Sequence, residues 1–384
     1  MVPAAHPVPP LPERLRRRVA DEGPLSFSAF MEAALYDPSG GFYAAGGHAG
    51  RRGDFLTSVE VGPLFGAVLA RALDGWWHEL GRPDPFVLLE AGAGPGTLAR
   101  TVARAAPQCS AALVHVLIER SAAQRARHGE HLPTWVGELG AGPLTELMGR
   151  SRSGSGPVVA SSPTWPDAAV TGVVLANELL DNLPFDIVRR SSTDLVEEYR
   201  VGVSDDGGFV PVVVARVGES TASPDAAVAG GPAGAWMPFE QQAVTWVATA
   251  TAALRRGHVM VFDYAASDAE LHGIPDMGWL RTFRGHERGS HPLDDPGSQD
   301  ITADVAVDQL HRAHPGAYVS TQAEFLVRHG IEALVEEGRR IWNERAHRGD
   351  LEAVYARSRV GEAEALLDPD GLGGFAVLDW TVSG

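Results

Sequence analysis

The chain has 384 residues, 44% of them hydrophobic, and a formal net charge of −17. This length predicts one large core with a second lobe, and so acidic a chain is not expected to bind nucleic acid or an anionic membrane. All 32 basic residues are arginine, which excludes a P-loop and a pyridoxal phosphate enzyme, because both need a lysine. The single cysteine, Cys109, excludes an intrachain disulfide and indicates a reducing compartment.

No apolar signal segment begins the chain, and no apolar run reaches the length of a membrane helix. The sequence therefore predicts a cytoplasmic protein. Residues 1–85 predict a helical segment, with helices at 11–21, at 26–36 with Ser26 as the cap, and at 63–80. A glycine-rich stretch at 40–53 is expected to be a surface loop or a lid over a site.

From residue 86 the pattern changes to alternating strands and helices. An apolar run at 86–90, a glycine-rich turn, a helix at 97–106 and an apolar run at 112–119 predict a βαβ unit, which implies a parallel sheet. Further strands are expected at 134–136, 172–176 and 258–263, the last after a helix at 240–256 that Gly257 would end. Residues 299–302 suggest a loop into a helix, with Asp300 or Thr302 as the cap.

Three short runs rich in β-branched residues, at 187–190, 195–203 and 209–217, have a different character. A turn signal at 205–208 separates the last two runs. They predict an antiparallel β insertion within residues 185–235. Residues 151–156 and 218–234 are expected to be loops.

The glycine-rich turn carries the strongest local signal. Glu90 stands two residues before Gly92, and Gly94 and Gly96 follow at alternate positions. A dinucleotide-binding turn would carry its third glycine one residue later, so the spacing resembles motif I of class I S-adenosylmethionine (SAM) methyltransferases. An ordinary tight strand–helix turn would give the same glycines. Glu119 ends the next strand, where an acid is expected to bind ribose hydroxyls, although a solvated carboxylate is the alternative.

A second polar group follows the apolar run at 173–176. Asn177, Glu178 and Asp181 would lie at the carboxyl end of a strand, where open α/β sheets bind their ligands. Glu178 and Asp181 are three residues apart and would share a face of a helical turn, which suits a cationic substrate group or a departing proton. The alternative is that Asn177 caps a helix whose positive end the two acids favour. The histidines do not cluster at metal-ligand spacings, so no metal is predicted.

Several dispersed segments together resemble one family. The sequence is similar to the MidA-type methyltransferases, whose mitochondrial member acts in respiratory complex I assembly. Besides the glycine turn, the resemblance is carried by residues 30–38, 40–43, 53–60, 63–66, 175–184, 262–264, 280–283, 299–303 and 321–325.

The resemblance implies a class I SAM methyltransferase, which is a Rossmann-like, doubly wound α/β fold over residues 86–384. It implies a helical N-terminal segment, a β insertion, SAM as the cofactor and S-adenosylhomocysteine as the product. It also places Thr57, Ser58 and Glu60 beside the cofactor, together with Asn177, whereas the first three residues alone would suggest only helix capping. The mitochondrial member implies methylation of an arginine in a protein partner.

The chain departs from the family pattern near the substrate side, which is expected at residues 265–330. Val59 stands where the family tends to carry proline, Ala265 where it tends to carry glycine, and residues 304–307 also differ. The first hypothesis is an arginine N-methyltransferase in which Asn177, Glu178 and Asp181 are catalytic. The alternatives are a small-molecule or peptide O- or N-methyltransferase, and a non-catalytic assembly factor with a retained SAM site. A homodimer is a further expectation.

Overall fold

A computed structural model describes residues 8–44, 57–130, 132, 135–138, 156–216, 225–285, 287–348 and 351–384. The predicted loops at 40–53, 151–156 and 218–234 lie partly outside these residues, at 45–53, 151–155 and 218–224, as does the start of the family motif at 53–60. In the described part of the last predicted loop, Asp225–Val228 is a short helix, which the sequence pattern did not predict. No helix in the described ranges is long and apolar enough to cross a membrane.

One large sheet forms the centre of the fold. Among the described residues it has eight strands, in the spatial order Tyr318–Thr321, Ala376–Val382, Leu254–Asp263, Val170–Asn177, Phe86–Ala91, Leu113–Ile118, Val158–Ser162 and Trp135–Glu138. Ala376–Val382 runs antiparallel to both of its neighbours, and the other strands pair in parallel. The chain order reverses beside Phe86–Ala91, so the predicted doubly wound α/β fold is confirmed.

Both faces of this sheet are covered, which explains the nearly continuous apolar runs of its central strands. Phe86–Ala91 is buried at every position. Phe86 and Leu88 face the helix Pro63–Glu79, while Val87 and Leu89 face the helix Gln241–Ala252. Alternate residues of one strand therefore build two separate cores.

The predicted helices at 11–21, 26–36, 63–80 and 97–106 are all present. Ser26 caps the second of them by accepting a hydrogen bond from the backbone N–H of Ala29. The described helices are Leu11–Glu22, Phe27–Tyr36, Ser58–Val61, Pro63–Glu79, Thr97–Ala105, Ala122–Arg125, Asp225–Val228, Gln241–Ala252, Asp268–Gly273, Val307–Ala313, Gln322–Arg328, Ile331–Arg345 and Leu351–Leu367.

The prediction that Gly257 ends a helix was wrong. The helix Gln241–Ala252 ends earlier, and Gly257 lies within the strand Leu254–Asp263. A Cβ at Gly257 would lie 1.7 Å from the carbonyl oxygen of Gly172 on the neighbouring strand. A close approach between two strands therefore requires this glycine.

The predicted antiparallel insertion forms a second, smaller sheet. Its described strands are Leu25–Ser26, Val196–Val203, Asp186–Arg190 and Trp236–Phe239, with Phe209–Ala215 also paired to Val196–Val203. The first two helices of the chain share a hydrophobic core with this sheet, whereas Pro63–Glu79 packs on the large sheet. The N-terminal segment thus contacts both sheets, and its division from the rest of the chain stays a prediction.

The residues from Gln299 to Thr302 do not form a loop that leads into a helix. Asp300–Ala303 is a strand that pairs antiparallel with Leu280–Arg284, and the next helix begins only at Val307. The backbone of this segment therefore pairs with a neighbouring strand, and neither Asp300 nor Thr302 caps the helix that begins at Val307. The side chain of Thr302 is used elsewhere, as described below.

Candidate active site

A cavity of about 740 Å³ opens at the carboxyl ends of the central strands. Three segments of the large sheet form its floor, and the N-terminal part of the chain closes one side. Its polar and aromatic wall residues include Tyr36, Tyr43, Thr57, Glu60, Glu90, Glu119, Arg120, Trp165, Asn177, Glu178, Asn182 and Trp246.

The glycine turn brings bare backbone to this cavity. Gly92, Gly94 and Gly96 have φ values of +67°, +51° and +77°, which side chains rarely adopt. Gly92 and Gly94 line the cavity, and a Cβ on Gly94 would meet no atom within 4 Å. The turn therefore leaves room for a bound molecule beside its backbone.

Two carboxylates flank the turn. Glu90 lines the cavity, and its Oε2 lies 2.6 Å from Nε2 of the buried His115. Glu119 accepts hydrogen bonds from the backbone N–H of Gly94 at 3.0 Å and of Ser121 at 2.7 Å. Burial raises the pKa of Glu119, although these backbone bonds oppose the shift. The strand end and the glycine turn are thus joined through the Glu119 carboxylate.

The segment Thr57–Val61 forms the opposite side of the cavity. The Glu60 carboxylate accepts a hydrogen bond from the Thr97 hydroxyl at 3.0 Å, next to the glycine turn. Ser58 is fully buried behind the wall, and its backbone N–H donates to Glu178 Oε1 at 2.9 Å. Thr57 lines the cavity, and its buried hydroxyl has no hydrogen-bond partner within the described ranges.

The turn after Val170–Asn177 differs from the prediction. Glu178 has a φ of +52° and precedes a short 3-10 helix, Leu180–Asn182, so Glu178 and Asp181 do not share a helical face. Asp263, at the end of the neighbouring strand, holds this turn, because its carboxylate accepts backbone N–H bonds from Leu179, Leu180 and Asp181. Asn177 does not cap the helix.

The two carboxylates consequently have different surroundings. Glu178 lines the cavity and accepts hydrogen bonds from the Ser58 N–H and the Asn177 amide. Asp181 is buried beneath the wall and accepts a hydrogen bond from the Thr302 hydroxyl at 2.5 Å. Burial raises the pKa of Glu178 to about 8, and the charge of Asp181 adds to this shift. Burial raises the pKa of Asp181 to about 6. Glu178 is therefore the carboxyl group of the pair that can meet a ligand directly.

Two tyrosines from the N-terminal segment complete the wall. The rings of Tyr36 and Tyr43 are stacked, with centroids 5.5 Å apart, and the Tyr43 hydroxyl donates to Asn182 Oδ1 at 3.0 Å. The guanidinium of Arg120 lies over the Tyr36 ring, 4.5 Å from its centroid. Sequence reasoning did not single out these residues. Both tyrosines belong to segments that resemble the family, which was the only available signal.

These residues fit SAM. The open backbone at Gly94 suits a close approach, and the Thr57 hydroxyl and the Asn177 Oδ1 are buried polar atoms without a partner in the described part of the chain. Such atoms are normally satisfied in a folded protein, so a polar ligand at this wall would complete them. Glu119 supplies a carboxylate that can accept from hydroxyl groups.

The family whose profile matches residues 68–323 is described as "Putative S-adenosyl-L-methionine-dependent methyltransferase". The chain belongs to this family. The matched range is two thirds of the length of this chain and includes all three strand ends that form the cavity floor. The protein is thus a SAM-dependent methyltransferase with SAM as its cofactor, as the glycine turn predicted.

The chain is also similar in sequence and structure to proteins described as methyltransferases. Protein arginine methyltransferase NDUFAF7, mitochondrial, from Homo sapiens is 27% identical over 369 residues, which cover 87% of this chain and 76% of that protein. The Drosophila melanogaster homologue is 39% identical over 92 residues, which cover 24% of this chain and 21% of that protein. A COG1565 superfamily protein from Burkholderia thailandensis, bound to S-adenosylhomocysteine, has a TM-score of 0.78 and 27% identity, over 99% of this chain and 96% of that one. The resemblance to the MidA-type family is confirmed.

The cavity brings together most of the residues predicted from the sequence. Ser58, Gly96 and Asp181 are not part of the described wall. Ser58 and Asp181 support it from behind through Glu178, whereas Gly96 begins the helix Thr97–Ala105. The wall residues among those predicted are Thr57, Glu60, Glu90, Gly92, Gly94, Glu119, Asn177 and Glu178.

Proposed function

We propose that this methyltransferase transfers a methyl group to a nitrogen of an arginine side chain in a protein partner. The observation that carries the proposal is the Glu178 carboxyl group, which is half-buried in the cavity wall close to the glycine turn. Burial raises its pKa to about 8, so a cation in the cavity would stabilise its ionised form. A guanidinium group is such a cation, since its pKa is above about 12.

The residues that would hold the cofactor are Glu90, Gly92, Gly94 and Glu119 on the sheet side, and Thr57 and Glu60 on the other. When bound, SAM supplies an electrophilic methyl group on its sulfonium. Glu119 would accept hydrogen bonds from ribose hydroxyls, and the Thr57 hydroxyl would donate to the cofactor's amino-acid part. Ser58, Gly96 and Asn177 would support this binding from neighbouring positions.

Glu178 and Asn177 would orient the acceptor. The carboxylate of Glu178 and the Oδ1 of Asn177 are both hydrogen-bond acceptors, which suits the N–H groups of a guanidinium. As the new C–N bond forms and the C–S bond breaks, the acceptor nitrogen loses a proton, and the Glu178 carboxylate is placed to take it and pass it to solvent. Asp181 would act through its negative charge on Glu178 rather than by contact.

The stacked tyrosines support a flat, cationic acceptor. Cations bind over aromatic faces, and arginine does so most often. The chain's own Arg120 lies over Tyr36 in this way. The human and fly relatives carry the name of protein arginine methyltransferases, and this also supports the proposal.

Label transfer from methyl-labelled SAM into an extract of the source cells tests the proposal. We expect label in macromolecules, and release of the label by protease as arginine-containing peptides. Label confined to small molecules would indicate a small-molecule methyltransferase. Binding of SAM by calorimetry without transfer to any fraction would instead indicate an assembly factor that retains the site.

A further inference from the structure

The segment Thr57–Val61 is anchored by residues from the last quarter of the chain. The Ser58 hydroxyl donates to Gln322 Oε1 at 2.9 Å, and both side chains are fully buried. Gln322 begins the helix Gln322–Arg328, far from the cavity in sequence. Ser58 lies between the residues of the segment that line the cavity, which are Thr57, Val59 and Glu60.

A second anchor lies just beyond the other end of the same segment. The buried Glu362, on the helix Leu351–Leu367, accepts a hydrogen bond from the backbone N–H of Leu64 at 2.8 Å. It also packs against Gly62 so closely that a Cβ there would lie 2.2 Å from the Glu362 carboxyl carbon. Ser358, one turn earlier on the helix, donates to the other carboxylate oxygen. The carboxylate thus fixes the point at which the segment joins the helix Pro63–Glu79.

We propose that Gln322 and Glu362 are positioning residues for SAM, which act through the segment Thr57–Val61. Neither residue is part of the described cavity wall. The inference rests on the proposed role of Thr57 and Glu60 in holding the cofactor. It assigns to the C-terminal helices a part in cofactor binding, beyond their packing on the sheet.

The physical reason is that a short segment cannot hold its own geometry. Ser58–Val61 is a helix of a single turn, too short to be stable without outside contacts. The Thr57 hydroxyl and the Glu60 carboxylate are useful to a ligand only if they are held within a fraction of an ångström. Two contacts to the segment, from Gln322 and Glu178, supply that restraint, and Glu362 adds a third just beyond its end, at Gly62 and Leu64.

Calorimetric titration with S-adenosylhomocysteine tests the proposal, because this readout does not depend on the acceptor. We expect Gln322→Ala and Glu362→Ala each to weaken binding about tenfold or more, the scale of a small misplacement of binding groups. Glu362→Gln keeps a carbonyl oxygen for the Leu64 N–H and should remain within about twofold of the wild type. Circular dichroism melts establish that each variant is folded at the titration temperature.

Glu240→Ala is the matched control. Glu240 is also a buried glutamate that accepts a backbone N–H, from Ala306, but its described hydrogen bonds go to Ala306, Gln309 and Val244 and not to the segment. If its loss weakens binding as much as Glu362→Ala, general destabilisation explains the effect and the proposal is overturned. A double-mutant cycle of Ser58→Ala and Gln322→Ala adds a test that folding losses do not mimic. Both changes remove the Ser58–Gln322 hydrogen bond, so their effects on affinity should be less than additive.

Substitutions in the segment itself, at Thr57 and Glu60, distinguish a failure of the positioning role from a failure of the cofactor assignment. If Glu60→Gln or Thr57→Val weakens binding but Gln322→Ala and Glu362→Ala do not, the segment holds the cofactor and the positioning role is wrong. If all four variants bind like the wild type, the segment does not hold the cofactor, and the inference fails with that assignment. The acceptor assignment to Glu178 is unaffected by either result.

Discussion

The backbone at Glu178 is held in an unusual conformation beside the cavity. A φ of +52° is uncommon for a glutamate and persists only when its surroundings enforce it. The enforcing contacts are the hydrogen bond from the Glu178 N–H to the Phe262 carbonyl and the three N–H bonds that Asp263 accepts from the following turn. Strain of this kind, at a residue that lines a cavity, is expected where function requires one side-chain direction.

We therefore expect Glu178→Gln to lower turnover by roughly 100-fold or more, the scale of losing a positioned carboxylate. Affinity for SAM should remain nearly unchanged, because the amide oxygen can still accept from Ser58 and the cofactor is held elsewhere. Steady-state kinetics and calorimetry on one preparation measure both quantities.

Glu240→Gln provides the comparison for this variant. Burial raises the pKa of Glu240 to about 8, as it does for Glu178, but Glu240 does not line the described cavity. Its substitution should spare turnover. Equal turnover by the wild type and Glu178→Gln would mean that Glu178 has only a structural role.

The pH dependence of kcat/KM gives a second prediction for Glu178. The profile reports groups of the free enzyme, and the proposed reaction needs Glu178 ionised. Since the pKa of Glu178 is about 8, kcat/KM should rise with pH below that value and level off above it. Glu178→Gln should abolish this rise in its residual activity. A wild-type profile that is flat between pH 6 and 9 would contradict the assignment.

For single residues, the sequence predicted which side chains belong to the site better than it predicted their arrangement. The position of Glu178 after an apolar strand was sufficient to select it, because the carboxyl ends of parallel strands meet at one edge. That Asp181 would turn to Thr302 instead was not predictable. The strand that carries Thr302 is more than a hundred positions away in the chain, and local spacing contains no information about it.

Among the elements, the glycine turn permits a test with an internal control. Gly94→Val should abolish binding of S-adenosylhomocysteine, because a branched side chain would project into the space beside the turn and strain a φ of +51°. Gly81 also has a positive φ of +83° and open space around it, but lies outside the described cavity wall.

Gly81→Val should therefore share the backbone strain of Gly94→Val without the loss of binding. Thermal melts compare how much the backbone strain lowers the stability of each variant, and calorimetry compares their affinities for S-adenosylhomocysteine. Binding by Gly94→Val at wild-type strength would mean that the cofactor does not approach this turn.

A further prediction concerns the contact between central strands at Gly257. Gly257→Ala should reduce the free energy of unfolding by at least about 1–3 kcal/mol. The reason is that the new Cβ would lie well inside van der Waals contact distance of the Gly172 carbonyl oxygen. Gly75→Ala, in the exposed middle of the helix Pro63–Glu79, should instead add about 0.5–1 kcal/mol. Urea unfolding of both variants measures these opposite signs, and a stable Gly257→Ala would contradict the strand contact.

The elements also show why some predictions succeeded and others failed. Buried strands such as Phe86–Ala91 are continuous apolar runs, so sequence pattern was enough to find them. Gly257 suggested a helix end because glycine is common there, but its actual reason is a neighbouring strand. The strand Asp300–Ala303 was mistaken for a loop because its pairing with Leu280–Arg284 is a long-range contact.

For the whole molecule, cofactor binding should appear as added stability. A ligand that binds only the folded state raises stability by mass action, by about 2.7 kcal/mol at a hundredfold excess over Kd. The melting temperature should therefore rise steadily with S-adenosylhomocysteine concentration. Gly94→Val should show no such rise, and an equal rise in both proteins would place the cofactor elsewhere.

Product analysis tests the arginine assignment most directly. Labelled protein from the transfer reaction is hydrolysed in acid, and the labelled amino acid is identified by chromatography against methylarginine standards. We expect label in methylarginine with the wild-type chain, and a roughly 100-fold loss with Glu178→Gln at unchanged SAM affinity. Label in any other amino acid or in a small molecule, or equal methylarginine from the two proteins, would contradict it.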